Sequence, residues 1–147
     1  MATAAPALHP RLREYASVHA TAGNRACHWV GIPMIVTAVL GLLGRLEIAS
    51  LGGVTWTAAE VAVAFCIVYY ARLDARLAVL MVPAIVPFDA LGRFLPAAAD
   101  VALFMVGWVF QLVGHAVYEK KSPAFFENVV HLLIGPLYLL AKAAGRA

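Results

Sequence analysis

Apolar residues in this chain are gathered into five long blocks, and no other feature limits its fold so severely. The blocks run from about Ala26 to Leu43, Val54 to Ala71, Leu77 to Leu91, Ala97 to Val117 and Ala124 to Ala141. A helix needs roughly 17–25 residues to cross the hydrocarbon of a bilayer. The first, second and fourth blocks meet that length. The third is short and interrupted by Pro83 and Pro87, which predicts a kink or bend. The fifth is long enough but carries Glu127, Asn128 and His131 in its first half, so it either spans or dips in and returns. Composition agrees: of 147 residues, 63% are hydrophobic and 13% charged, and eight acids with eleven bases cannot clothe a soluble domain this small. A soluble enzyme, a DNA-binding domain and a disordered chain do not suit these numbers. The expected fold is all-α: a multi-pass transmembrane helical bundle of four to five membrane helices, with a short N-terminal surface helix. Residues 1–147 read as a single membrane-embedded domain, with 1–10 a loose tail.

The net charge of +3 comes from bases scattered in ones and twos between the blocks. That is how orienting loop charges fall, rather than a nucleic-acid footprint. With the N-terminus in the cytoplasm, Arg11, Arg13, Arg25, Arg72, Arg76, Lys120 and Lys121 face inward, and Arg45 and Arg93 outward. Lys142 and Arg146 follow the last block, and the count favours this orientation wherever they fall. Ahead of block one, Leu12, Tyr15, Ala16 and His19 recur at i, i+3, i+4 and i+7, which predicts a short helix lying on the membrane surface. Gly23 is expected to end it and Asn24 to cap the next helix. Glu60 and Asp89 are expected near the outer interface, with Asp89 paired to Arg93 one turn on. Cys27 and Cys66 sit among apolar residues, which argues against a disulfide framework.

His9 belongs to the tail. The other four histidines, His19, His28, His115 and His131, each lie at or near the end of an apolar block, and the charge-derived topology puts all four ends on the inner side. His19 and His28 are nine residues apart, so on one continuous helix they would point in opposite directions; they meet only if the chain turns between them. Asn24, Gln111 and Asn128 each precede a histidine by about one helical turn. A metal-bound imidazole needs its second nitrogen held by an acceptor, and these amides are candidates. Four buried imidazoles suit one mononuclear metal, and softness admits Fe(II), Zn or Cu(II). Histidines merely satisfying helix ends at headgroup level are the alternative. No HExxH helix, GxSxG elbow, phosphate-cradling glycine loop or CxxC is present, and histidines this far apart do not make the boxes of a membrane di-iron enzyme.

Two stretches carry a family resemblance. The first is Tyr15-x3-His19-x4-Asn24-x3-His28-x2-Gly31-x-Pro33. The second runs from Trp108 through Gln111, Gly114-His115-x3-Glu119-Lys120-x2-Pro123-Ala124, Asn128 and His131 to Gly135-Pro136. Together they cover about a third of the chain, and the sequence resembles the small membrane protein family named for the metabolism of phytosphingosine to odd-numbered fatty acids. The resemblance implies an Fe(II)-dependent dioxygenase performing α-oxidation of long-chain 2-hydroxy fatty acids with O2. It implies His19, His28, His115 and His131 as the iron-requiring residues and Asn24, Glu119 and Asn128 as supporting ones. Four histidine ligands would leave two octahedral positions, so one ligand would move, or the substrate would bind through one oxygen, before O2 could join. Ala- and Arg-rich usage suits a high-GC bacterium, which places the enzyme in the inner membrane (the endoplasmic reticulum in a eukaryote), its site towards the cytoplasmic face. A membrane haem-b electron carrier and a non-catalytic adaptor or lipid carrier are the competing classes.

Overall fold

The computed structural model describes residues 8–123 and 129–147. Helix α1 (Pro10–Ser17) leads into α2 (Ala22–Leu43) and a hairpin of β1 (Glu47–Leu51) and β2 (Val54–Thr57). Helices α3 (Ala58–Leu73), α4 (Ala75–Phe94) and α5 (Ala97–Val113) follow. Helix α5 runs directly into a π-helical segment (Gly114–Glu119), and α6 (Val130–Ala143) comes last. The architecture is an all-α bundle with one small hairpin.

Ion pairs fix the direction of the four central helices. Arg45, just after α2, meets Asp100 in the first turn of α5 at 2.7 Å, and Arg93, near the end of α4, meets Glu60 in the first turn of α3. At the opposite end the Tyr70 hydroxyl of α3 donates to the Leu133 carbonyl of α6 at 2.7 Å, and Arg146 meets Asp74, between α3 and α4, at 3.0 Å. Helices α2, α3, α4 and α5 therefore alternate in direction. They approach closely where glycines face each other. A Cβ on Gly31 of α2 would stand 2.7 Å from the Gly107 carbonyl of α5, and one on Gly41 of α2 would stand 2.7 Å from the Gly92 carbonyl of α4. Small residues at these crossings let backbones touch, as in helix pairs within lipid.

Three helices are long and apolar enough to cross a membrane: α2 with 22 residues, α4 with 20, and α5 with its π segment, 23. Phe65 on α3, Val79 and Val86 on α4 and Met105 and Val109 on α5 are each more than half exposed, an outward surface that suits lipid and not water. The chain is thus a multi-pass membrane protein. Among the described residues, three helices of spanning length stand where four to five spans were expected. Helix α6 has 14 residues and reaches ~21 Å, short of the ~30 Å hydrocarbon. Block two loses its first four residues to β2, because Gly52 and Gly53, at φ 59° and 78°, make a tight reversal there and leave α3 with 16 residues. The prolines of block three do not end its helix: α4 runs through both Pro83 and Pro87.

Helix α1 also differs from a helix resting on the membrane. Its stripe exists, but Leu12 and Tyr15 are buried against Leu77 and Met81 of α4 and Ile134 and Leu137 of α6. Protein, not lipid, covers the apolar side. The break after α1 comes earlier than expected. Thr21, not Asn24, caps α2, its hydroxyl accepting the Asn24 N–H at 3.3 Å. Gly23 lies inside the first turn of α2, where the Tyr118 ring leaves no room for a Cβ.

Candidate metal centre

The turn between α1 and α2 lets His19 and His28 face each other. His19 follows α1, His28 sits in the second turn of α2, and His115 is the second residue of the π segment. All three are buried. Their ring centroids lie 4.5 to 5.0 Å apart, and one nitrogen from each falls within 4.8 Å of the others. Cys27 is no part of this group.

The hydrogen bonds decide what that group can do. His19 Nδ1 lies 2.6 Å from the Tyr15 carbonyl, an otherwise free acceptor at the end of α1, and His28 Nδ1 lies 2.9 Å from the Asn24 carbonyl. A carbonyl only accepts, so each Nδ1 carries the hydrogen and each Nε2 presents a lone pair when the ring is neutral. Burial pushes the His19 pKa down to about 4, which keeps that ring neutral near pH 7. Yet His19 Nε2 and His28 Nε2 stand 3.1 Å apart. Two lone pairs at that distance repel unless a cation lies between them. Imidazole nitrogens ~2.1 Å from one metal and at right angles about it stand ~3.0 Å apart. The donor set therefore fits a metal, with His115 as the third nitrogen.

His131 stands apart from these three. It lies beside Tyr15, ring centroids 5.9 Å apart, and its Nε2 is 3.5 Å from the Glu14 carboxylate. Its Nδ1 is buried with no hydrogen-bond partner. The Asn24 side chain does not hold His28 as the spacing suggests. The backbone carbonyl of Asn24, not its side chain, accepts from His28, and Gln111 Nε2 is buried without an acceptor. Asn128 lies outside the described residues. Glu119 does not touch the histidines. Its carboxylate accepts from the N–H groups of Ala20 and Thr21 at 2.9 and 3.2 Å, the Thr21 hydroxyl at 2.8 Å and Asn24 Nδ2 at 3.1 Å. It thereby ties the segment carrying His115 to the turn carrying His19 and the helix carrying His28. Tyr15 stacks on His19 at 3.9 Å between centroids, a contact that spacing alone does not reveal.

The histidines open onto a cavity of about 450 Å³ with an almost wholly apolar wall. It follows α2 from His28 through Ile35 and Val39 to Leu43, ~22 Å at 1.5 Å per residue, with Ala62 and Phe104 also on its wall. His131 and Gln111 line the same cavity. Lys120 and Lys121 line no part of it and stand exposed.

Residues 7–147 match the family described as Mpo1-like, 2-hydroxy-palmitic acid dioxygenase Mpo1-like. Among curated proteins, the 2-hydroxy-palmitic acid dioxygenase MPO1 of Saccharomyces cerevisiae is 43% identical over 42 residues, which are 28% of this chain and 24% of the yeast protein. The alignment thus spans about a quarter of that relative's length. No solved structure matches. The three-histidine group, joined to this kinship, supports a metal-dependent oxidative enzyme in a membrane. Because the family match runs over nearly all of the sequence, the chain belongs to the Mpo1-like 2-hydroxy-palmitic acid dioxygenase family.

Proposed function

We propose that this protein is an Fe(II)-dependent dioxygenase that converts a long-chain 2-hydroxy fatty acid into the fatty acid one carbon shorter, releasing CO2. The observation that carries this reading is the pair of lone pairs 3.1 Å apart on His19 and His28, at one end of an apolar cavity. A cation site there meets a space shaped for an alkyl chain. At ~22 Å along α2, that space exceeds the ~15 Å hydrocarbon depth of one bilayer leaflet, so it accommodates chains of membrane length.

The roles divide by placement. His19, His28 and His115 hold the metal, and Tyr15 and Asn24 lock two of the rings through their backbone carbonyls. With His19, His28 and His115 as the only protein ligands, a 2-hydroxy acid would reach the metal without displacing any of them. Fe(II), when bound, supplies the redox chemistry that lets O2 react with the substrate. His131, on the cavity wall with Glu14 beside one nitrogen, stands where it can hold or pass the proton of the 2-hydroxyl group. The apolar wall excludes water from the alkyl chain. The reaction balances as R-CHOH-COOH + O2 → R-COOH + CO2 + H2O. The substrate supplies all four electrons, so no reductant is required. A haem-carrier reading gains nothing from centroids 4.5 Å apart, which leave no gap for a porphyrin between the rings. The N-terminus and the histidine end of the bundle face the cytoplasm in this proposal.

Purified protein in detergent, given Fe(II), O2 and 2-hydroxyhexadecanoic acid, is expected to yield pentadecanoic acid. Equal turnover of hexadecanoic acid, or formation of the 2-oxo acid alone, would rule the proposal out.

A further inference from the structure

A second, smaller cavity of about 170 Å³ also borders His19 and His28. Tyr15, His19 and His28 form a wall common to both cavities. The rest differs in kind. Among the described residues, the large cavity has no lysine or arginine on its wall, whereas the small one is flanked by Arg25 and Lys142 and is lined by no acid. Arg25 uses only Nη1 in its described hydrogen bonds, to the carbonyls of His19 and Ala20, which leaves Nη2 and Nε as donors. Lys142 makes no ion pair among the described residues; its Nζ lies 5.9 Å from the centre of the Tyr138 ring. Two cations therefore border a hollow beside the histidines, with no carboxylate among the described residues that line it.

We propose that this hollow is the carboxylate site for the acid, with Arg25 and Lys142 as its anchors. The inference rests on the substrate class proposed above and adds to it a direction of binding. The alkyl chain lies along α2 in the large cavity, carbon 2 lies at the three histidines, and the carboxylate keeps one oxygen towards them while the other faces the two cations. An amphiphile with an apolar tail and one anionic end matches both cavities at once, with its reacting carbon at the wall they share. Charge-assisted hydrogen bonds from such a pair orient the head group. Lys120 and Lys121, the nearer pair in sequence to His115, line neither cavity and take no part.

The test uses metal-free, full-length protein in neutral detergent and compares hexadecanoate with 1-hexadecanol, which has the same chain and no carboxylate. Binding is read from tryptophan fluorescence, since Trp29 borders the small cavity and Trp108 the large one. The wild type is expected to prefer the acid. Lys142→Gln is expected to weaken hexadecanoate about tenfold and leave hexadecanol unchanged, while Lys142→Arg keeps the preference. Arg25→Gln also loosens the turn it caps, so Arg25→Lys serves as its partner variant and is expected to retain most of the preference. Unchanged acid affinity in Lys142→Gln, or equal loss for acid and alcohol, would overturn the assignment. So would loss of affinity for phosphatidylglycerol vesicles with hexadecanoate binding intact, because the cations would then serve lipid phosphate. No iron and no turnover enter the measurement, so its failure is separate from failure of the dioxygenase reading.

Discussion

His19 and His28 suit the metal role proposed for them because their backbone partners leave them no choice of tautomer. Each Nδ1 hydrogen goes to a carbonyl, so both Nε2 lone pairs point into one space. His28→Ala or His19→Ala is expected to lose bound iron, measured as metal per purified chain. His131→Ala is expected to keep most of the iron and lose turnover, since its nitrogens lie outside the three-histidine group. Loss of iron from His131→Ala equal to that from His28→Ala would make it a fourth ligand. The pH dependence has a definite sign. His19 has a folded pKa of about 4, held down by burial, against ~6.5 in an unfolded chain. Between those values the unfolded chain takes up a proton that the folded chain refuses. The contribution of His19 to stability is therefore fully present above about pH 6.5. It falls as the pH drops towards 4, by at most ~1.4 kcal/mol per unit from this residue. Melting of the metal-free protein at pH 5 and pH 7 should show the decline, and His19→Gln should lessen it.

Between elements, the key connection is Glu119. It is the last residue of the π segment, and its four hydrogen bonds reach the turn before α2 and the first turn of α2 itself. Helix starts carry free N–H groups and a partial positive charge, so a carboxylate is well matched there. Glu119→Ala is expected to cost roughly 2 kcal/mol and to weaken iron binding, whereas Glu119→Gln, which keeps an acceptor oxygen, costs less. A melting curve and a metal titration check both. This connection was only partly legible in the sequence. The His19–His28 spacing announces a turn, because nine residues of unbroken helix would set the rings opposite. It does not tell that Thr21 rather than Asn24 caps α2, since both are good capping residues. Nor does it tell that carbonyls, not amide side chains, hold the histidines, because every residue supplies a carbonyl and none marks its sequence. The doublet Gly52-Gly53 was a readable sign of the hairpin, but the apolar run beginning at Val54 reads equally well as the start of a helix.

For the whole molecule, the alternating helices put the Arg45–Asp100 and Arg93–Glu60 pairs at one end and the histidines at the other, and the long apolar cavity runs between them. The apolar blocks made the bundle legible, and hydropathy located α2, α3, α4 and α5 with its π segment each to within about four residues. The burial of α1 was not legible, because an apolar stripe looks the same whether lipid or protein covers it. Chain length should be read at the far end of the cavity. Ala62→Phe is expected to shift preference towards shorter 2-hydroxy acids, measured across a chain-length series, while leaving iron content unchanged. Orientation is open to labelling at Ser122, which is exposed beyond the π segment. A cysteine placed there should react only with reagents that reach the cytoplasmic face.

The central claim is that a three-histidine iron site directs all four electrons of a 2-hydroxy acid to O2. It is tested most directly with 2-hydroxyhexadecanoic acid carrying carbon-13 at carbon 1, in the presence of Fe(II) and O2 and with no electron donor. The account predicts labelled CO2, pentadecanoic acid and consumed O2 in equal molar amounts, and none of these from the His28→Ala protein. Product that requires an added donor, or label retained in the acid, would contradict it.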